Sequence, residues 1–324
     1  MAKRVRFYET GGPEVLRYED ADVGAPGPGE ARVRHVAVGL NFADTYFRTG
    51  YYPVQPPCGI GVEASGVVEA VGEGVTHVKV GDRVAYTGSP LGAYSTERVM
   101  PAAFLVTLPD TIAFETAAAM MMRGLTSAYL LRRIAPSLKA GDTVLLHAAA
   151  GGVGLIFLQW ARLLGIKVIG VVSTPEKARI ATQHGAAHIL MADEDIAARV
   201  REITKGEGVS VAFDSVGKTT VMASLNSLKR RGLLVAFGTA SGPIPLIDAM
   251  DLVTKGSLFV TRPALADYLA DPADRAELAG ELFGHVGAGR IGIDINQTYA
   301  LSDAVRAHRD LEGRKTTGSS IFVI

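Results

Sequence analysis

Residues 143–154 read TVLLHAAAGGVG, and this stretch decides the fold. An apolar, β-forming run ends at His147 and passes through a small-residue turn into an amphipathic segment. The spacing matches a dinucleotide fingerprint in which Ala149 replaces the first glycine and Gly151 and Gly154 take the other two positions. The missing side chains let the backbone approach a pyrophosphate, and the N–H groups of the helix N-terminus favour an anion. The predicted nucleotide loop consists of Ala150, Gly151, Gly152, Val153 and Gly154.

From about residue 124 onward, strand-like and helical segments alternate along the chain. Strands are predicted at residues 143–147, 167–172, 188–190, 209–214, 233–238 and 257–261. Helices are predicted at residues 152–164, 175–183, 194–204, 219–228 and 247–253. This alternation predicts an α/β fold with a parallel, doubly wound Rossmann sheet.

The first third of the chain is β-rich instead, with short runs separated by turns rich in Gly and Pro. The last five residues, 320–324, are apolar and too few to form a core, so we expect them to bury against this first domain. We therefore predict a discontinuous catalytic domain, residues 1–123 and 263–324, and a nucleotide-binding domain, residues 124–262.

Charge and composition exclude several classes of protein. The 324 residues carry 33 basic and 33 acidic side chains, so no basic excess attracts nucleic acid or a membrane surface. The first residues lack the apolar segment of a secretion signal, and no apolar stretch has membrane-spanning length. A single cysteine, Cys58, excludes an internal disulfide and a cysteine-rich zinc lobe. We expect a cytoplasmic protein with no nucleic-acid partner and no membrane insertion.

The tip of the second predicted sheet strand indicates which nicotinamide cofactor binds. An NAD-selective site typically carries an acidic residue there, which binds the ribose 2′-hydroxyl. This chain has Ser173 at the tip and Lys177 one helical turn later. A hydroxyl and a cation suit a 2′-phosphate, so the pattern favours NADPH. Glu176 weakens the positive field, and an alternative in which Lys177 only solvates the helix start stays open.

Further motifs recur along the whole chain in a specific order. They are GGPEVL (11–16), GLNFADTYFRTGYY (39–52), GVEASGVVEAVGEGV (61–75), GDRVAY (81–86), GLTSAYLL (124–131), HAAAGGVG (147–154), FDSVG (213–217), GSLFVTRP (256–263) and GRKTTGSS (313–320). In these motifs the chain resembles the zinc-free, zeta-crystallin-like quinone oxidoreductases of the medium-chain dehydrogenase/reductase superfamily. The resemblance implies a GroES-like catalytic domain beside the Rossmann domain, and metal-free hydride transfer from NADPH to a quinone.

Zinc-dependent relatives carry a cysteine ligand where this chain has Asn41, and a histidine ligand where it has Val62. Asparagine and valine do not bind zinc as a thiolate and an imidazole do. We therefore expect no metal site, and we interpret Glu63 as a structural hydrogen-bond anchor.

The resemblance also assigns residues to the site. It implies that Asn41 faces the nicotinamide and that Tyr46 and Tyr52 line the quinone cleft, where either hydroxyl could donate to a quinone oxygen. A packed ring with a satisfied hydroxyl is the competing interpretation of each tyrosine. The resemblance implies that Arg262, Arg314 or both reach the cofactor, although a solvated face is the alternative for Arg314. The remaining predicted cofactor contacts are Thr126, Ser215, Phe237 and Gly238.

Two other functions stay open. An enoyl or alkenal reductase would use the same cofactor and fold but add the hydride to a C=C bond conjugated to a carbonyl. A non-catalytic protein that binds NADPH or RNA is the alternative outside enzymes, although the neutral net charge argues against RNA. The last predicted strand, residues 257–261, is apolar and would leave an exposed sheet edge, so we also predict a homodimer.

Overall fold

The computed structural model describes residues 1–88, 90–313 and 315–324. The predicted contact residue Arg314 lies outside these described residues. The chain divides into a first unit, Met1–Leu125 with Asp271–Ile324, and a second unit, Thr126–Ala270. The sequence predicted the second boundary earlier, after residue 262. The short helix at Leu265–Tyr268, which follows residue 262, belongs to the second unit. Its Tyr268 ring stacks on Tyr129 of that unit, with ring centroids 4.7 Å apart.

The described residues at the start of the first unit form β-strands β1–β8 and α-helices α1 and α2. The strands are β1 (Ala2–Phe7), β2 (Arg17–Ala21), β3 (Glu30–Leu40), β4 (Cys58–Gly59), β5 (Glu63–Val71), β6 (Arg83–Thr87), β7 (Glu97–Pro101) and β8 (Val106–Thr107). The helices are α1 (Phe42–Arg48), which directly follows β3, and α2 (Phe114–Tyr129), which ends in the second unit. Side chains of alternate β3 residues point into the core, and those of Ala31, Val33 and Ala37 are fully buried.

The second unit alternates strands and helices. In chain order they are β9 (Thr143–His147), α3 (Gly152–Leu163), β10 (Lys167–Val172), α4 (Pro175–Gln183), β11 (His188–Met191), α5 (Ile196–Ile203), β12 (Val209–Asp214), α6 (Val221–Ser227), β13 (Leu228–Ala236), α7 (Ala249–Thr254), β14 (Phe259–Thr261) and α8 (Leu265–Tyr268). The six strands pair in parallel in the order β11-β10-β9-β12-β13-β14. The predicted α/β fold class is confirmed. The strand order reverses between β9 and β12, and doubly wound sheets bind ligands outside the carboxyl ends of the strands at such a point.

One predicted strand begins elsewhere. The sequence placed its start at residue 233, but β13 begins at Leu228, where helix α6 has just ended. The pairing of β12 with β13 shifts register between Val209 and Val211, and Arg231 adopts a positive φ of 58°. A bulge therefore absorbs the polar residues that the sequence pattern assigned to a loop.

The C-terminal segment returns to the first unit. It contains α9 (Pro272–Gly287), β15 (Ile295–Ala300), α10 (Ala304–Glu312) and β16 (Ser319–Val323). Strand β16 pairs antiparallel with β3 and parallel with β15, which completes a sheet of order β15-β16-β3-β5-β6-β8. Phe322 is fully buried in the core of this unit. Among the described residues, no helix is both long enough and apolar enough to cross a membrane.

Candidate active site

The turn between β9 and α3 allows very close packing of backbone. A Cβ atom on Gly154 would lie 2.5 Å from the Ala149 carbonyl oxygen and 2.7 Å from that of Ala148, so a side chain there would force the turn apart. Ala149 is tolerated at the first fingerprint position because Gly170, on the adjacent strand β10, has no side chain. A Cβ on Gly170 would lie 2.8 Å from the Ala149 Cβ. Gly151 is the N-cap of α3, so the next N–H groups lack intrahelical acceptors and are available to an anion.

A buried serine that the sequence analysis missed supports this turn. The Ser127 hydroxyl, in helix α2, donates to the Val153 carbonyl oxygen at 3.3 Å. Its neighbour Thr126, a predicted cofactor contact, is also buried. The second unit therefore places this end of α2 beside the first turn of α3.

The two predicted selectivity residues lie at the start of helix α4. Ser173 is exposed just beyond the end of β10, and Thr174 is the N-cap of the helix. The Thr174 hydroxyl accepts a hydrogen bond from the Lys177 N–H at 3.2 Å. This cap fixes the main chain of the first turn of α4, so Ser173 and Lys177 lie within about one helical turn at the carboxyl end of β10, the strand next to β9.

A buried carboxylate shapes the carboxyl end of β12. Asp214 Oδ1 accepts hydrogen bonds from the Val216 N–H at 2.8 Å and the Gly217 N–H at 3.0 Å. The hydroxyl groups of Thr220 and Ser224 complete its coordination, each at 2.8 Å. Four donors fix the turn that carries Ser215.

The remaining predicted cofactor contacts of the second unit lie at the same edge of the sheet. The Phe237 N–H donates to the Asp214 carbonyl oxygen at 2.8 Å, and a Cβ on Gly238 would overlap the Ser215 carbonyl oxygen. Arg262 follows β14, and its guanidinium donates to the Ala236 carbonyl oxygen at 3.1 Å. An edge with a glycine-lined helix start, a cation and several polar groups fits a dinucleotide cofactor.

In the first unit, a buried polar cluster surrounds Glu63. Its Oε1 accepts from the Asn41 side-chain amide at 2.6 Å, and its Oε2 accepts from the Met122 N–H at 2.6 Å. The Arg123 guanidinium lies 3.4 Å from Oε1 and also donates to the carbonyl oxygens of Leu40 and Ala119. Burial raises the pKa of the Glu63 carboxyl, while Arg123, Met122 and Asn41 oppose that rise. Glu63 therefore fixes the Asn41 amide from behind, as expected of a structural anchor.

A second buried carboxylate, Asp44, closes the first turn of helix α1. Its Oδ2 accepts from the Asn41 N–H at 2.8 Å and from the Tyr94 hydroxyl at 2.9 Å. Burial raises the pKa of Asp44 to about 7, and the nearby Glu63 charge adds to the rise. Asn41 is therefore held twice, through its side chain by Glu63 and through its main chain by Asp44.

Helix α1 and the turn after it carry an aromatic cluster. The Tyr46 ring makes edge contacts with Phe42, Tyr51 and Tyr52, at centroid distances of 5.6, 5.5 and 5.2 Å. The Tyr52 N–H donates to the Tyr46 carbonyl oxygen at 3.0 Å, which ties the turn to the helix. The first unit thus groups the three predicted catalytic residues on one short segment, with Asn41 at its start.

The positions of the zinc ligands do not fit a zinc ion. The Asn41 amide nitrogen is committed to Glu63, and the next candidate position holds the buried apolar side chain of Val62. Within residues 1–88, 90–313 and 315–324, no group of three or more His, Cys, Asp or Glu side chains could hold a metal ion.

Two family models match the chain. Residues 27–110 match the alcohol dehydrogenase GroES-like domain, and this range contains strands β3 to β8 of the first unit. Residues 152–263 match the zinc-binding dehydrogenase model, which begins at helix α3 in the second unit.

Full-length relatives carry narrower descriptions. The chain is 53% identical to a quinone oxidoreductase of Pseudomonas aeruginosa, with all of both chains covered. Its fold is similar to a crystal structure of Escherichia coli quinone oxidoreductase complexed with NADPH, with a TM-score of 0.97 at 45% identity, covering 99% of this chain and 100% of that one. It is also 44% identical to a 2-haloacrylate reductase of a Burkholderia species, over 98% of this chain and 97% of that one.

Proposed function

Because this chain belongs to the quinone oxidoreductases of the medium-chain dehydrogenase/reductase superfamily, we propose that it reduces quinones with NADPH and without a metal ion. The observation that carries the proposal is the group formed by Asn41, Glu63 and the aromatic cluster. A hydrogen-bonded amide stands where the zinc-dependent enzymes have a cysteine ligand, and aromatic rings follow it directly. Such a site presents aromatic rings that suit a flat acceptor, and its side chains are not those that bind zinc.

The second unit supplies the groups that would hold NADPH. The N–H groups of residues 152–154 would bind the pyrophosphate, and Ser173 and Lys177 would bind the 2′-phosphate. When bound, NADPH supplies a hydride from nicotinamide C4. The fit of the glycine-lined turn and the NADPH named in the Escherichia coli structure both support this assignment.

The first unit would bind the acceptor. Hydride addition to a quinone leaves an oxyanion, and one proton from solvent or a donor completes the hydroquinone, so the overall reaction consumes NADPH and a proton. The Tyr46 and Tyr52 hydroxyls are the donors that we assign to the developing oxyanion. Positioning supplies much of the remaining acceleration, because quinones accept hydride readily.

A turnover assay tests the function. NADPH oxidation is followed at saturating cofactor with benzoquinone and with an unsaturated aldehyde or 2-haloacrylate, in the presence and absence of EDTA. Quinone turnover that far exceeds the other rates and survives EDTA supports the proposal. A strong preference for the C=C substrates would favour the second candidate, a reductase of unsaturated carbonyl compounds, which the 2-haloacrylate reductase relative favours. Loss of activity on removal of a stoichiometric zinc ion would overturn the metal-free reaction.

We also propose that the enzyme is a homodimer joined through β14. This strand lies at the edge of the six-stranded sheet, and Phe259 and Val260 are 60% and 37% exposed. The nearby helix α7 adds Met250 and Val253, which are also exposed. Two copies that pair along β14 would bury this apolar edge. The cytoplasmic location stays a prediction from the sequence, which cell fractionation tests.

A further inference from the structure

We propose that a buried chain of hydrogen bonds positions helix α1, and with it the acceptor-binding residues. We call this the anchoring chain, and it consists of Arg48, His308, Tyr94 and Asp44. The inference rests on the proposed function, because it assumes that the aromatic cluster of α1 and the turn after it binds the quinone. It adds positioning residues that touch neither cofactor nor acceptor.

The anchoring chain links three distant parts of the first unit. Arg48 Nη1 lies 2.9 Å from His308 Nδ1, and His308 Nε2 lies 3.2 Å from the Tyr94 hydroxyl. The Tyr94 hydroxyl in turn donates to Asp44 Oδ2 at 2.9 Å. All four side chains are almost completely buried, so water does not compete for these bonds.

Along the anchoring chain, every hydrogen bond is donated in the same direction, from Arg48 toward Asp44. A guanidinium only donates, so His308 Nδ1 accepts and Nε2 carries the proton of the neutral imidazole. Burial, with the Arg48 charge adding, lowers the pKa of His308 to about 3, which keeps the ring neutral. The Nε2–H therefore donates to the Tyr94 oxygen, which leaves the hydroxyl hydrogen for Asp44. Each member has one correct orientation.

The two ends of the anchoring chain, Asp44 and Arg48, lie on one face of helix α1. Asp44 and Arg48 are four residues apart and share a face, whereas Phe42 and Tyr46 lie about 200° around the helix from Asp44. Arg48 is further held by Glu312 at the end of α10, at 2.6 Å, and by the Gly11 carbonyl oxygen at 3.1 Å. The polar face is therefore fixed at both helix ends, and the aromatic face is presented on the other side.

Asp44 experiences charges from several elements. Glu63 on β5 raises its pKa, and Arg123 on α2 lowers it. Tyr94 and the neutral His308 face it along the anchoring chain, and Arg48 lies one turn away on the same helix. Loss of the Asp44 proton strengthens the bonds that it accepts from Asn41 and Tyr94. We therefore expect the quinone KM to fall as the pH rises through about 7, the pKa of Asp44.

Tyr94→Phe tests the anchoring chain, with Tyr86→Phe as a matched control. Both tyrosines are fully buried in the first unit, and each hydroxyl contacts a histidine, but Tyr86 contacts His35 rather than a group on α1. We expect Tyr94→Phe to raise the quinone KM about tenfold, while the NADPH dissociation constant changes less than about twofold. Tyr86→Phe should leave both constants near wild type, although both variants lower the unfolding temperature. The pH dependence of the quinone KM should disappear in Asp44→Asn.

Two variants of His308 test the inference if Tyr94→Phe does not fold. Glutamine can accept from Arg48 and donate to Tyr94, so His308→Gln should retain wild-type acceptor kinetics, whereas the apolar His308→Leu should behave like Tyr94→Phe. If Tyr94→Phe matches Tyr86→Phe, or if the two His308 variants behave alike, the inference is wrong and the proposed function still stands. If the wild-type protein turns over no quinone, the proposed function itself fails and the inference fails with it.

Discussion

The Asn41 side-chain amide donates to Glu63 Oε1 at 2.6 Å. Gly39, in strand β3, leaves the space that the Glu63 carboxylate occupies. A Cβ on Gly39 would overlap Glu63 Oε1 and the Ala118 carbonyl oxygen. The orientation of the Asn41 amide thus depends on a glycine in β3. The space that Gly39 leaves for the Glu63 carboxylate therefore matters to the position of Asn41 as much as the charge of Glu63 does.

Gly39→Ala should therefore weaken both the fold and the acceptor site. Overpacking of this kind costs about 1–3 kcal/mol of unfolding free energy, which urea titration measures. We also expect a lower kcat/KM for quinone because Glu63 must move away from Asn41. Gly280→Ala in helix α9 is the control, since its Cβ would meet nothing within 4 Å and alanine favours a helix. Equal stability of the two variants would contradict the close approach.

Lys177→Ala should weaken NADPH binding and leave NADH binding almost unchanged. A lost charge-assisted hydrogen bond to the 2′-phosphate costs about 1.5–3 kcal/mol, or roughly tenfold or more in affinity. Fluorescence titration with both nucleotides measures the change. Arg179→Ala on the same helix is the control, because Arg179 bonds to Gln183. Parallel losses for both nucleotides would refute the role of Lys177 in selectivity.

Tyr52→Phe should lower kcat/KM for quinone and spare NADPH affinity. If the hydroxyl stabilises the developing oxyanion, its removal costs one to two orders of magnitude, about 1.4–2.7 kcal/mol of transition-state stabilisation. Steady-state kinetics of Tyr52→Phe and Tyr46→Phe, compared with Tyr18→Phe at an exposed position on strand β2, measure the loss. Wild-type acceptor kinetics in both cluster variants would show that the rings act by shape alone.

His35→Gln should make the protein less sensitive to acid. The buried His35 ring has Nδ1 2.7 Å from the Ser95 carbonyl oxygen and Nε2 3.0 Å from the Tyr86 hydroxyl, and burial lowers its pKa to about 3. Below pH 6.5, the unfolded chain binds a proton that the folded protein excludes. The histidine therefore removes about 2 kcal/mol of stability between pH 6.5 and 5.

His35→Gln has no ring to protonate on unfolding, so its unfolding free energy should rise relative to that of the wild type as the pH falls from 6.5 to 5. Urea titrations at both pH values measure the difference. His188→Gln, at an exposed position, should keep the wild-type pH slope. An unchanged slope in His35→Gln would show that the buried ring is not the cause.

Val260→Lys should dissociate the proposed dimer. A charge at the centre of β14 cannot be buried against a second copy without a large desolvation cost. Light scattering at micromolar concentration should give the dimer mass for wild type and the monomer mass for the variant. Leu163→Lys, at another exposed apolar position at the end of α3, should remain dimeric. A monomeric wild-type protein would contradict the assembly.

Local patterns determined much of the second unit. The bounds of β9, β10, β12 and α4 coincide with the predicted ones, because each element carries its own periodicity, cap or flanking glycine. The bulge in β13 was missed because it depends on pairing with β12. The role of Ala149 was predictable, but Gly170 as the reason that alanine fits was not, since the two strands meet only in the folded sheet.

Some parts of the candidate site could likewise be predicted from the sequence, and others depend on the tertiary structure. From the sequence came the predicted nucleotide loop, the residues at the positions where zinc-dependent relatives carry their ligands and the tyrosines beside them, because these lie within continuous motifs. Only the tertiary structure decided that Arg48 meets His308, 260 residues later, and that Tyr94 joins His308 to Asp44. A buried polar side chain must find a partner wherever the fold supplies one, and no local pattern records which distant residue that is.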